Sequence, residues 1–297
     1  MKFIARSCFM LTLMLVMTLS LRAQIPTATG VDRGFTEIES LQGTLDSSSK
    51  LVKLDSTVGY DFNRHFGAFV GIPIYFASVS GASTTAAMSS NTGTAAGLGN
   101  LYLGVAFRAP NPVLNYGSAI TVGAPTGSTR KGFSSGRGSL DWSNHLDHSF
   151  DRFTPFLDAG LANTVPDSIR IVRPFTSLGA VGHFEEGAEY ELVHHFAVGG
   201  SGYEITPFGN QKVFSKLVRQ GQAGKASGKG HGVFENTFAS SGSGLTRENG
   251  VSTWVAFEPN KIVRAELGFT RSVTFDINSV SFSLGFNVGK LLRSKKS

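Results

Sequence analysis

Apolar residues recur at every second position over segments of about ten residues, and few folds accept that pattern along a whole chain. The last segment shows it clearly. Val280, Phe282, Leu284, Phe286 and Val288 fall on one face, and Ser281, Ser283, Gly285, Asn287 and Gly289 on the other. Side chains of a strand alternate between faces, so this period builds one apolar wall and one polar wall. In a soluble sandwich the apolar wall would meet a second sheet. Here almost every segment repeats the pattern with charges on the second face, as in a barrel with lipid outside and polar groups inside.

The segments pair into hairpins. Val52, Leu54, Val58, Tyr60 and Phe62 run down to a tight turn at Asn63-Arg64, and Phe66, Ala68, Val70, Ile72, Ile74 and Phe76 climb away. Similar turns fall near Asn111, at Asp151-Arg152, at His194-His195 and at Pro259-Asn260. Longer Gly/Ser-rich connections at 77–97, 125–137, 164–173 and 207–249, with a short one at 273–278, lie at the opposite end. That asymmetry separates periplasmic turns from extracellular loops. Eleven strands follow directly: 51–62, 66–77, 98–108, 114–124, 138–150, 153–163, 174–192, 196–206, 250–258, 262–272 and 279–289. An upstream strand near 35–45 returns the N-terminus to the periplasm and makes the number even. The expected fold is all-β, a closed antiparallel transmembrane β-barrel of about 12 strands, with ten or fourteen left open. Pro73, Pro125 and Pro155 sit in or beside strands, where a closed sheet has no free edge, so bulges or strand ends are expected there.

The first residues read as an export signal. Lys2 and Arg6 precede an apolar run from Phe9 to Leu21, and Ala23 stands at the expected cleavage position. The run is shorter than the roughly 20 apolar residues of a membrane helix. Residues 1–23 are therefore assigned to a cleaved signal peptide and 24–297 to the barrel, with a long outer loop at 207–249. The single cysteine, Cys8, lies in the signal, so the mature chain holds no disulfide. No later stretch approaches a helical span, and 36 Gly and 24 Phe favour β structure. Removing Lys2, Arg6 and Arg22 lowers the formal charge from +6 to +3, which gives no argument for nucleic acid. The expected site is the outer membrane of a Gram-negative bacterium, among its lipid and lipopolysaccharide. The chain closes on a basic tail from Lys290 to Ser297, where many such barrels end on an aromatic residue.

Three short motifs carry a family resemblance. Gly97-Leu98-Gly99-Asn100-Leu101-Tyr102-Leu103-Gly104 opens a strand, Ala124-Pro125-Thr126-Gly127 follows one hairpin later, and Gly136-Arg137-Gly138-Ser139-Leu140-Asp141 comes next. They resemble the outer-membrane barrel family labelled "MetA-pathway of phenol degradation", a group assigned to transport, over a third to a half of the chain. That family usually carries Asp where this chain has Asn100. The resemblance implies uptake of small aromatic or apolar compounds.

With the apolar faces turned outward, Lys53, Asp55, Asp61, Arg108, Asp141, His145, Asp147, Asp158, Glu185, Glu189, Glu191, Glu258, Arg264 and Glu266 face the lumen. A lysine or arginine on the lipid side would cost about 2–4 kcal/mol near the midplane and an acid less, which favours the inward assignment. Acids outnumber bases among these residues, so an acidic lumen is expected. Asp55, Asp141, Asp147, Glu185, Glu189 and Glu266 are the candidates for setting its selectivity. The charges either pair into a network that fills a narrow barrel or line a water-filled, cation-preferring path. The outer loops have the opposite sign. Arg130, Lys131 and Arg137 mark one, and Lys212, Lys216 and Arg219 belong to the largest; all six are candidates for contact with anions such as lipopolysaccharide phosphate. Phe214, Leu217, Phe234 and Phe238 would let the 207–249 loop fold inward.

Ser143, His145 and Asp147 raise the question of a lipid hydrolase. Residues two apart on a strand are about 7 Å apart, long for direct hydrogen bonds. They also face the lumen rather than the bilayer, and no catalytic residue is assigned. No metal or cofactor is expected, since His145 and His148 oppose each other and His194-His195 sits in a turn. The possible partner beyond lipid is a small solute.

Overall fold

A computed structural model describes residues 34–45, 49–79, 93–217, 239–260, 262–289 and 291. The expected signal 1–23, Arg219, Phe234, Phe238 and most of the basic tail lie outside them. The described chain forms a closed 12-strand antiparallel barrel. Its wall runs through β1 (Gly34–Thr44), β2 (Ser49–Asp61) and β3 (Phe66–Val79), then β4 (Gly93–Leu98) and β5 (Tyr102–Ala109), which are two halves of one strand. It continues through β6 (Asn115–Gly123), β7 (Ser139–Asp147) and β8 (Phe153–Ala162). A short β9 (Phe175–Leu178) leaves the wall, which resumes with β10 (Val181–Val193) and β11 (Phe196–Pro207). After β12 (Asn210–Ser215) and β13 (Ala239–Ser243) come β14 (Glu248–Asn260), β15 (Val263–Ser272) and β16 (Ile277–Asn287). Pairing of β1 with both β2 and β16 closes the cylinder.

The upstream strand near 35–45 is present as β1, and the five tight turns join the strands at one end. Two expectations need correction. The segment 174–192 is not one strand: at Gly179, with φ 147°, the chain leaves the wall, and β9 pairs instead with β12. The 207–249 loop carries structure of its own, because β12 and β13 join β9 in a separate three-stranded sheet. The prolines behave as closure requires. At Pro73 the β3 partner strand bulges: Gly71 pairs with Tyr102 and Ile74 with Leu98, so three residues of one strand face two of the other. Pro125 follows the end of β6, and Pro155 lies beyond the last β7–β8 pair, Asp147 with Phe156.

The outer wall is apolar, with Val70, Val105, Ile120, Leu161, Val255 and Leu267 all exposed. At the short-turn end, aromatic rings form a belt. Phe35 meets Tyr60 at 4.8 Å, Phe66 meets Phe107 at 5.3 Å and Phe196 meets Phe257 at 4.6 Å between centroids. Such a girdle marks the interface of a membrane barrel, where rings sit between hydrocarbon and headgroups. Polar groups on this face satisfy one another. Tyr116 Oη donates to Asn144 (2.8 Å), Trp142 Nε1 to Ser118 (3.0 Å) and Ser56 Oγ to Glu39 (2.6 Å).

Glycines on the inner wall leave room for rings from the next strand. A Cβ at Gly104 would strike the Phe69 ring, one at Gly71 the Tyr102 ring, and one at Gly199 the Trp254 indole. The lumen therefore gains large aromatic side chains that the period-two pattern assigns only to the outside.

Candidate functional site

Inside the cylinder, the connection from β8 to β9 folds down into the lumen. Its Ile171 and Val172 are 2% and 0% exposed, as deeply buried as any core residue, although they belong to a loop. Val172 joins Leu51, Tyr75 and Ala77 of the wall and Phe133 of the 124–138 loop. Phe175 and Val213, from the small sheet, pack with Ala162, Val165, Val181 and Ile205. Below them Phe69, Phe156 and Trp254 make a cross-lumen cluster with Ala106, Ala119 and Ala256. The lumen is occupied, by an inserted loop above and an aromatic layer beneath.

Charge explains why the loop docks. Arg173 Nε reaches Glu248 at 2.7 Å, with both side chains buried. Arg170 Nε reaches Glu266 at 2.8 Å, its Nη1 lies 3.7 Å from Glu185, and its guanidinium stacks 3.7 Å over the Trp254 ring. Asp167 faces the other wall, accepting from Tyr75 Oη at 2.7 Å and pairing with Lys53 at 3.3 Å. The loop thus brings two cations to the acidic side of the wall and one carboxylate to its lysine. Burial alone would raise the Asp167 carboxyl, but Lys53 and then Lys216 hold it below the ordinary carboxylate range.

The selectivity candidates divide. Glu185 and Glu266 meet Arg170, and Glu189 holds Arg264 at 2.7 Å and accepts from Trp254 Nε1 at 3.0 Å. Asp55 is buried between Lys53 (3.1 Å) and Tyr102 Oη (2.9 Å). Asp141 receives His183 Nε2 at 2.8 Å, and Asp147 meets His145 Nε2 at 3.0 Å and Asn115 Nδ2 at 3.1 Å. His145 and Asp147 therefore do bond directly, because their side chains lean along the strand. The other imidazole nitrogen faces Asp158 at 3.9 Å, so both ring nitrogens point at carboxylates rather than at Ser143.

Of the expected anion contacts, Arg130, Arg137 and Lys212 are exposed, while Lys131 is exposed but donates to the Ala96 carbonyl at 2.6 Å. Lys216 is not an outer contact. It is 4% exposed, sits 4.2 Å over the Tyr75 ring and donates to the Arg173 carbonyl at 3.1 Å. The Tyr75 ring and the Arg173 carbonyl together give its ammonium a seat inside, which draws it inward.

Burial pushes the Lys216 ammonium down to about 8, against the pull of Asp167. Released from the docked loop, it would return toward 10.5. Between these values the undocked state holds a proton that the docked state has lost, so docking strengthens as pH rises through this window. Asp167 works at the acid end: its depressed carboxyl supports docking fully above 3.8, and that support is lost only as pH falls through the depressed value. The loop is expected to be better protected from proteolysis within 164–173 at pH 10 than at pH 7, measured against an unstructured control peptide, with Lys216→Met flattening the trend. An unchanged trend in that variant would remove Lys216 from the docking.

Arg170, Arg173 and Asp167 escape a reading that places the 164–173 connection outside. The available signal was the apolar trio Ile169, Ile171 and Val172 beside two arginines, opposite a lumen short of cations. Two of the three family-like motifs meet beside this loop. Leu101 N donates to Thr126 Oγ1 (2.8 Å), Thr126 Oγ1 donates to the Gly99 carbonyl (3.0 Å), and Gly127 N donates to Asn100 Oδ1 (3.3 Å). They clasp the 124–138 loop to the bulge at Pro73. Among the described residues no group of His, Cys, Asp or Glu is arranged to hold a metal ion.

Compared by sequence, the chain matches no protein-family model and no curated protein. Its structure is similar to an outer-membrane channel from Pseudomonas putida F1, with a TM-score of 0.56 at 10% identity over 90% of this chain and 99% of that one. The NanC porin aligns over 84% of this chain and 98% of its own with 8% identity and a TM-score of 0.46. The fold is thus that of an outer-membrane β-barrel.

Proposed function

We propose that this chain is an outer-membrane barrel that passes small solutes through a lumen gated by its inserted 164–173 loop. Residues 1–23 would direct export and then be cleaved off. The observation that carries the reading is the docking of Arg170 and Arg173 on lumen carboxylates: a charged loop held by ion pairs fills the interior yet can leave it without breaking the wall. The resemblance to the phenol-degradation barrels adds small aromatic compounds as candidate solutes. Selectivity would then rest on the inward acids, Asp141 and Asp147 among them, that the loop's arginines do not reach. A second reading is a closed surface barrel that holds lipopolysaccharide through its loops, favoured by exposed Arg130 and Arg137.

The test is conductance of the refolded mature chain in a planar bilayer under a salt gradient. Discrete cation-selective steps are expected. A folded, heat-modifiable barrel that stays silent at every voltage and pH contradicts gated passage and leaves the surface barrel.

A further inference from the structure

Between the inserted loop and the surrounding barrel wall lies a cavity of about 390 Å³, within the roughly 300–1,000 Å³ typical of small-molecule sites. Its charge is one-sided. Apart from Glu37 of the outer face, seven carboxylates line it against four cations, Arg170, Arg173, Lys216 and Arg264. Each arginine has a carboxylate at ion-pair distance, and Lys216 is drawn by Asp167. The cations are therefore engaged, and the lining keeps an excess of negative charge.

The wall places an aromatic body beside that charge. Phe69, Gly104, Thr121 and Asp141 stand directly opposite one another across β3, β5, β6 and β7. Three inter-strand steps of about 4.8 Å separate Phe69 from Asp141, roughly 14 Å between backbones. The Phe69 ring spans the first step by lying over Gly104. Tyr102, Tyr75 and Phe133 line the same cavity, and Asp141 presents its carboxylate with His183 Nε2 at 2.8 Å. A ring-lined space ending on a carboxylate attracts a cation with an apolar body and repels an anion of the same shape.

We propose that this cavity is a binding site for small organic cations carrying an aromatic or apolar group, with Asp141 meeting the cationic end and Phe69 and Tyr102 the body. The inference deepens the gated-passage reading, on which it rests for its role in transport. It sets a charge requirement that uptake of neutral aromatic compounds would lack.

The test is calorimetric titration of the refolded mature chain, in a nonionic detergent, with two permanently charged probes of similar size, benzyltrimethylammonium and benzenesulfonate. The ammonium is expected to bind at least about tenfold more tightly. Asp141→Asn, which keeps a hydrogen-bonding partner for His183, is expected to weaken ammonium binding by about tenfold while the barrel stays heat-modifiable. Equal binding of the two probes, or ammonium binding that ignores Asp141→Asn, overturns the proposal. Binding is read without current, so the two ideas fail separately. A chain that binds the ammonium but never conducts keeps the site and loses the passage; one that conducts without preferring the ammonium loses the site alone.

Discussion

Replacing Glu248 by alanine is expected to lower the stability of the closed mouth by about 3–5 kcal/mol, the cost of leaving one partner of a buried ion pair alone. Arg173 and Glu248 are 6% and 1% exposed at their side chains, so solvent screens them little. Tyr203 Oη also donates to Glu248 at 2.8 Å, and it would lose its acceptor as well. Arg173 keeps one other bond, Nη1 to the Pro166 carbonyl at 2.9 Å, but that lies within the loop and does not hold the loop to the wall. The lost energy therefore falls on docking before it falls on the barrel. Expected readouts are a lower temperature for the heat-induced mobility shift and rapid protease cleavage within 163–178. Exchanging the two residues, Arg173→Glu with Glu248→Arg, should recover part of the loss, since the pair is remade in reverse.

Arg170→Ala is expected to release the tip of the same loop. Its guanidinium satisfies Glu266 and Glu185 and stacks on Trp254, a desolvated cation–π contact of about 2 kcal/mol. Arg264 still reaches Glu266 at 3.4 Å, which softens the loss on that carboxylate. Glu185 keeps the hydroxyl of Ser201 at 2.6 Å but has no replacement charge from the loop. A net weakening of about 2–3 kcal/mol would raise the undocked fraction by a factor of roughly 30 to 150. Amide hydrogen exchange across 164–173 should speed up by that factor, while amides of β14 and β15 keep their protection. Uniformly faster exchange would instead mean that Arg170 supports the wall.

The wall was legible because lipid leaves little choice. On β2, putting Val52, Leu54, Val58 and Tyr60 outside forces Lys53, Asp55 and Asp61 inside, and all three are buried there. Turns with short connections were legible for a related reason, since two or three residues can join only adjacent antiparallel strands; Asp151 and His195 accept the positive φ that these turns need. The inner wall was less so. Water, a ligand or another part of the chain can satisfy a lumen residue, and the sequence pattern does not distinguish them. Phe69, Tyr75 and Trp254 interrupt the polar face because neighbouring glycines make room for their rings. Loop insertion is harder still. Residues 164–173 have the short, polar-flanked look of an outer connection, and only the wall's need for cations reveals why Arg170 and Arg173 go inside. Lys216 was misplaced for the same reason: its charge was counted, but not the Tyr75 ring and the Arg173 carbonyl that receive it inside.

Single-channel conductance of the intact chain beside one in which residues 164–173 are replaced by a short Gly/Ser linker tests the gate most directly. The wall pairs without help from these residues, so both chains should fold and shift on heating. The intact chain should show small, intermittent steps, and the linker chain should stay open with conductance several-fold higher and still cation-selective. Equal conductance in the two would contradict a gate made by this loop and move the constriction to the aromatic layer of Phe69, Phe156 and Trp254.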